Sequence, residues 1–90
     1  MPNEAILLRD AWAALSAQQP ARALELLETD EHEHSSGPLS EERDALHVVA
    51  LAKLNRLAEA RAAAAAFASH YPTSVHRDLV ERALRDEGVP

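Results

Sequence analysis

The sequence predicts an all-α protein of about five helices. Nineteen of the 90 residues are Ala and thirteen are Leu, and these side chains lose little conformational entropy in a helix. Only two residues are Gly and eight are β-branched, too few to populate a sheet. Apolar residues also recur three and four positions apart, which is the helical period.

The first two helices are predicted from their start signals and their apolar stripes. Asn3 is a candidate N-cap for a helix over residues 4–17. Pro20 suits the first turn of a second helix, which we expect over residues 20–29 or slightly beyond. Residues 28–33 are mostly acidic and oppose the macrodipole at a helix C-terminus. The second helix should therefore fray there, before a break at residues 35–38.

Three more helices follow the break. Glu41 and Glu42 suit the first turn of a helix that begins at residue 39 or 40 and ends at 55. A tight turn leads to a helix over residues 57–70, which Pro72 follows. A fifth helix is predicted over residues 75–86, with Val75, Leu79 and Ala83 on its apolar face.

An internal repeat relates the two halves of the chain. Residues 18–23 align with residues 55–60, which is an offset of 37 positions. Ala23 then falls on Ala60, and Ala14 falls on Leu51. The repeat therefore predicts one domain over residues 1–90. The domain has a first unit at about 4–38, a second at about 41–74 and a final helix at about 75–86.

The second unit resembles the tetratricopeptide repeat. Ala60 stands where that family has a small residue, and Phe67 and Pro72 match its aromatic and its closing proline. The run from Phe67 to Ser74 is similar to the Phe-x-x-x-Tyr-Pro-x-Ser ending of bacterial envelope-type tetratricopeptide proteins. The resemblance implies two stacked antiparallel helix pairs plus a C-terminal capping helix, in a right-handed α-solenoid. The first unit lacks the closing proline. In the second unit, Asp44, His47-Val48 and Leu51 stand in place of the family's Trp, Leu-Gly and Tyr.

The resemblance also implies a groove lined by the first and third helices. Its expected partner-binding residues are Leu8, Trp12, Leu15, Glu42, Ala45, Val49 and Lys53. Trp12 is the expected hot spot, because large aromatic side chains dominate interface energetics. The alternative for Trp12 is a half-buried core position between the first two helices.

Composition excludes several classes of partner. The net charge of −6 argues against nucleic acid, because phosphate binding needs a basic surface. The longest apolar run, residues 62–68, is too short to insert in a bilayer. There is no Cys, so thiol chemistry is excluded while the compartment stays open. The default compartment is the cytoplasm, or the periplasm if the chain is the soluble part of an envelope-anchored protein.

The sequence indicates no cofactor, no catalytic site and no assigned metal site. The serines have no base and acid partners at motif spacing, and there is no Gly-rich phosphate loop. His32 and His34 lie in the acidic segment and are candidates for a divalent metal. The alternative is a solvated loop, because a metal site needs fixed ligands.

These features favour a non-enzymatic protein–protein interaction module, a scaffold or adaptor, in a bacterium. The bias toward Ala, Leu and Arg is typical of a GC-rich genome. One alternative is a self-association domain that forms homo-oligomers. A third hypothesis is a metal-responsive regulator that uses His32 and His34.

Overall fold

The computed structural model describes residues 3–34 and 38–88, and within them the chain forms five helices and no strand. The helices are α1 (Glu4–Ser16), α2 (Pro20–Glu33), α3 (Ser40–Lys53), α4 (Leu57–His70) and α5 (Arg77–Gly88). The all-α prediction is therefore confirmed. The Asn3 side chain accepts a hydrogen bond from the Ile6 N–H at 2.9 Å, so Asn3 is the N-cap of α1.

Two helix ends differ from the prediction. The acidic end of α2 does not fray: the helix continues to Glu33, and the His34 N–H donates to the Asp30 carbonyl at 2.7 Å. Arg43 Nη1 on α3 donates to the His34 carbonyl at 3.1 Å, and this charge-assisted bond offsets the unfavourable macrodipole of the acidic end. Helix α5 begins at Arg77, which leaves Val75 86% exposed rather than on an apolar face. Of the predicted break, residues 35–37 lie outside the described residues.

Two tight turns join α1 to α2 and α3 to α4 with the same geometry. Gln18 and Asn55 are both left-handed, with φ of 62° and 61°. Beyond them, the Gln19 N–H donates to the Ala14 carbonyl at 2.8 Å and the Arg56 N–H donates to the Leu51 carbonyl at 3.0 Å. These bonds satisfy carbonyls that the helix end would leave unpaired. Each turn thus reverses the chain within a few residues and folds each pair into a hairpin.

Helix α3 lies at the centre of the molecule, because α1, α2, α4 and α5 all contact it. One apolar cluster joins α1, α2 and α3 through residues such as Leu8, Leu27 and Leu46. A second cluster forms around Val48, Phe67 and Val80 and joins α3 to α4 and α5. Burial of a side chain of this size contributes about 1.5–3 kcal/mol. The two clusters hold the other four described helices against α3.

Replacing Gln18 by Gly should stabilise the protein by about 0.5–1 kcal/mol. A residue with a Cβ costs about 1–2 kcal/mol in the left-handed region, and the extra freedom of unfolded Gly offsets part of the gain. Asn55→Gly should give a smaller gain, because Asn tolerates this region. Urea unfolding measures both. Ala17→Gly is the control, because Ala17 has φ of −87° and gains nothing from Gly. A loss of stability in Gln18→Gly would contradict the assignment of strain to this turn.

Candidate interaction surface

Trp12 is a surface residue held by a hydrogen bond from α1 to α3. The residue is 39% exposed, and its Nε1–H donates to Glu42 Oε1 at 2.8 Å. The acceptor carboxylate lies in the first turn of α3, so the bond joins the first helices of the two hairpins. A large apolar ring is therefore displayed at the surface in a fixed orientation.

The seven predicted partner-binding residues divide between surface and core. Glu42 is half-buried and Lys53 is exposed, so with Trp12 they present side-chain surface to solvent. The other four are buried in this conformation: Leu8, Leu15, Ala45 and Val49. Leu8, Leu15 and Val49 pack in the first apolar cluster and Ala45 packs in the second, where they support the surface residues from beneath.

A cleft of about 180 Å³ lies between α3 and α5. Its apolar lining comes from Val49, Leu79 and Ala83, and its polar lining comes from Lys53, Arg82 and Asp86. This volume is below the roughly 300–1,000 Å³ of small-molecule pockets. The cleft therefore suits one side chain of a larger partner better than a substrate or cofactor.

Trp12 and the cleft belong to one surface. Glu42, Val49 and Lys53 are separated by seven and four residues, so they share one face of α3. With a rise of 1.5 Å per residue, Glu42 and Val49 lie about 10 Å apart along the helix. We call this surface the α1/α3/α5 face, and it comprises Trp12, Glu42, Val49, Lys53, Leu79, Arg82 and Ala83.

A buried polar cluster lies behind this face, where the two hairpins meet. Its charged side chains come from three helices and are nearly inaccessible to solvent: Glu4 in α1, Asp30 in α2 and Arg43 in α3. The Glu4 Oε1 accepts a hydrogen bond from the Leu39 N–H at 2.6 Å. We call Glu4, Asp30, His34, Arg43 and Asp44 the junction cluster.

Arg43 organises the junction cluster. Its Nε and Nη2 both lie 3.0 Å from Asp44 Oδ1, and its Nη1 donates to the His34 carbonyl at 3.1 Å. The same Nη1 lies 3.7 Å from Asp30 Oδ2, which is an ion-pair distance rather than a hydrogen bond. The Asp44 Oδ2 in turn accepts from the Tyr71 hydroxyl at 3.3 Å. One guanidinium thus connects the end of α2 to α3 and, through Asp44, to the residue after α4.

Burial changes the acid–base properties of two members of this region. The pKa of Asp30 is raised, first by burial and then by the nearby Glu4, while Arg43 lowers it only in part. Burial also raises the pKa of Tyr71, with Asp44 adding to the effect. The uncharged forms of both groups are therefore favoured in the folded protein.

The junction cluster was not predicted from the sequence, although the helical pattern contains a signal for it. Asp30 continues the stripe of Ala23 and Leu27 on α2, at spacings of four and three. Arg43 likewise precedes Leu46 and Ala50 on the buried stripe of α3. An acid and a base that each continue an apolar stripe indicate a buried pair.

The histidines do not assemble a metal site within the parts of the chain that the structure describes. Residues 3–34 and 38–88 contain no group of three or more His, Cys, Asp or Glu side chains that could hold a metal ion. His32 is exposed near the end of α2, and His34 lies half-buried beyond it. A separate cleft of about 220 Å³ has His47 and His70 in its lining, where His70 Nδ1 donates to the Ala66 carbonyl at 2.8 Å.

Comparisons of the chain with protein-family models, with curated proteins and with solved structures find no match. Among the described helices, none has both the length and the apolar character needed to cross a bilayer. Function is therefore inferred from the geometry of the chain itself.

Replacing Arg43 by Met should destabilise the protein by about 3 kcal/mol. The change leaves the buried carboxyl group of Asp30 without its cation and removes the donor to the His34 carbonyl. Chemical unfolding measures the effect, with Arg77→Met as the control, because the exposed Arg77–Glu81 pair should contribute less than about 1 kcal/mol. Adding Asp30→Asn to Arg43→Met should recover part of the loss. Equal stability of the two Arg→Met variants would contradict the role of Arg43.

Proposed function

We propose that this chain is a non-catalytic protein–protein interaction module, a scaffold or adaptor that binds a peptide or helix of a partner on the α1/α3/α5 face. The observation that carries the proposal is the exposed Trp12 ring, fixed by its hydrogen bond to Glu42. Tryptophan is enriched among interface hot spots. A ring that is oriented before binding loses less conformational entropy when the partner docks.

The cleft between α3 and α5 supports a partner of particular chemistry. Its apolar lining, Val49, Leu79 and Ala83, suits one aliphatic side chain. Lys53, Arg82 and Asp86 also line it and would face polar neighbours of that side chain. The partner segment that we propose therefore carries a single aliphatic anchor flanked by polar residues.

We also propose that the two hairpins are tetratricopeptide-like repeats, stacked as a right-handed α-solenoid with α5 as the cap. Their matching turns support this, because Gln18 and Asn55 lie 37 positions apart and share one backbone geometry. The starts of α2 and α4, at Pro20 and Leu57, have the same separation of 37. Ala23 and Ala60 have no exposed surface, as small residues at a close helix crossing would.

A quantitative affinity capture from cells that express the protein tests the proposed function. Trp12→Ala and Arg82→Glu should each reduce the recovery of the same partner at least about tenfold, the loss expected when a hot spot is truncated. Trp12→Ala removes the displayed ring, and Arg82→Glu reverses a charge at the cleft. Quantitative mass spectrometry of the captured proteins gives the ratio for each variant.

Two control variants match these changes away from the face. Val75→Ala removes an exposed apolar side chain, and Arg77→Glu reverses an exposed charge on α5. Recovery of the partner should be unchanged with both. Equal losses with test and control variants, or no loss with any variant, would contradict the α1/α3/α5 face as the binding surface. A wild-type bait that captures only copies of itself would support the self-association alternative.

A further inference from the structure

Negative charge exceeds positive charge in the junction cluster. Glu4, Asp30 and Asp44 supply three carboxyl groups, whereas Arg43 supplies a guanidinium. Glu4 and Asp30 are 7% and 0% exposed, so solvent does little to screen their repulsion. Two ionised carboxylates buried together carry a large desolvation cost.

Asp30 has the least support for a negative charge among these carboxyl groups. Asp44 lies 3.0 Å from two nitrogens of Arg43, and Glu4 accepts a backbone hydrogen bond. Both oxygens of Asp30 are buried without a hydrogen-bond partner, and its ion pair with Arg43 spans 3.7 Å. A buried carboxylate without a donor is strongly disfavoured relative to its protonated form.

We infer that Asp30 is a proton-binding group through which pH controls how firmly the two hairpins are joined. The proton comes from solvent and binds one carboxylate oxygen, which gives a neutral acid with one O–H donor. In the same cluster, Glu4 Oε2 is likewise buried without a hydrogen-bond partner. Protonation thus removes a buried charge and supplies a donor.

The groups around Asp30 determine the direction of its pH response. Glu4 from α1 and Asp44 from α3 raise the pKa of Asp30 after the main effect of burial, and Arg43 and His34 lower it. Glu33 lies at the same end of α2 and also has a buried oxygen without a partner. Because the pKa is raised above 3.8, the contribution of Asp30 to stability is complete below pH 3.8 and is lost as pH rises through the folded-state pKa.

The junction cluster also connects to the α1/α3/α5 face. Glu4 and Trp12 both belong to α1, and Arg43 lies next to Glu42 on α3. Deprotonation of Asp30 should therefore weaken the α1–α3 contact that holds Trp12 against Glu42. An effect of pH on partner binding rests on the proposed function, whereas the proton site itself does not.

Asp30→Asn tests the proton site by unfolding measurements from about pH 4 to about pH 8. The quantity to follow is the folding equilibrium constant of the variant divided by that of the wild type. Between the unfolded-state and folded-state pKa values of Asp30, this quotient should rise about tenfold per pH unit. The comparison cancels contributions to stability that both proteins share. One such contribution has the opposite pH dependence and comes from Glu59, whose pKa is lowered by its hydrogen bond with Arg56. Asp10→Asn, on the more exposed side of α1, is the control and should show no such rise. A ratio that is constant or falls with pH would overturn the inference.

A second measurement keeps the inference testable if Asp30→Asn does not fold. The carboxyl carbon of Asp30 in the wild-type protein can be titrated by NMR, and its midpoint should lie above 3.8. A midpoint at or below that value would overturn the inference. Neither measurement involves a partner, so failure of the affinity capture would leave the proton site standing.

Fluorescence of Trp12, the single Trp of the chain, tests the link to the face. The emission should change with a midpoint that matches the titration of Asp30, and Asp30→Asn should abolish this change. Glu42→Gln is the control, because it removes direct titration of the carboxylate next to the indole. If the pH midpoint of the wild-type emission does not match the titration of Asp30, the proposed coupling between the junction cluster and the α1/α3/α5 face is contradicted.

Discussion

The whole structure depends on the burial of one helix, α3. Four helices contact it, and eight of its residues are buried, from Arg43 to Ala52. Ala45, Ala50 and Ala52 have no exposed surface, so neighbouring helices can approach α3 closely. Since the two apolar clusters both include α3, neither hairpin nor α5 has a complete core without it. In a chain this short, a single central helix is an economical way to bury enough apolar surface.

Helices α2 and α4 both pack against α3 through apolar side chains, but α2 adds a buried ionisable contact. Phe67 on α4 packs in an apolar cluster with Val48 and Val80, whereas Asp30, 37 positions earlier on α2, is buried beside Arg43. An apolar contact stabilises the fold over a wide range of pH. A buried ionisable contact adds little net stability but depends on protonation and demands a particular geometry. The contact between α2 and α3, where the two hairpins meet, is therefore the one that responds to pH.

Helical periodicity predicted most of the fold, because it reports which face of each helix is apolar. The span of α4, Leu57–His70, was predicted without error. The end of α2 was missed, because that turn is held by a hydrogen bond from Arg43 on α3 to the His34 carbonyl, a contact that the local sequence does not show. For the candidate site, the resemblance to tetratricopeptide repeats predicted Val49 in the groove but could not show that α5 packs beside it. Trp12 could be interpreted either as surface or as core until its bond to Glu42 was located on another helix.

Native-state amide hydrogen exchange tests the central role of α3 most directly. The amides of Leu46, Val48 and Val49 should exchange only through global unfolding, with the same free energy as urea unfolding gives. Amides of α5 should exchange through smaller openings, because among the described helices α5 contacts only α3 and α4. The account would be contradicted if amides in α1 and α2 stayed protected while those of α3 exchanged faster.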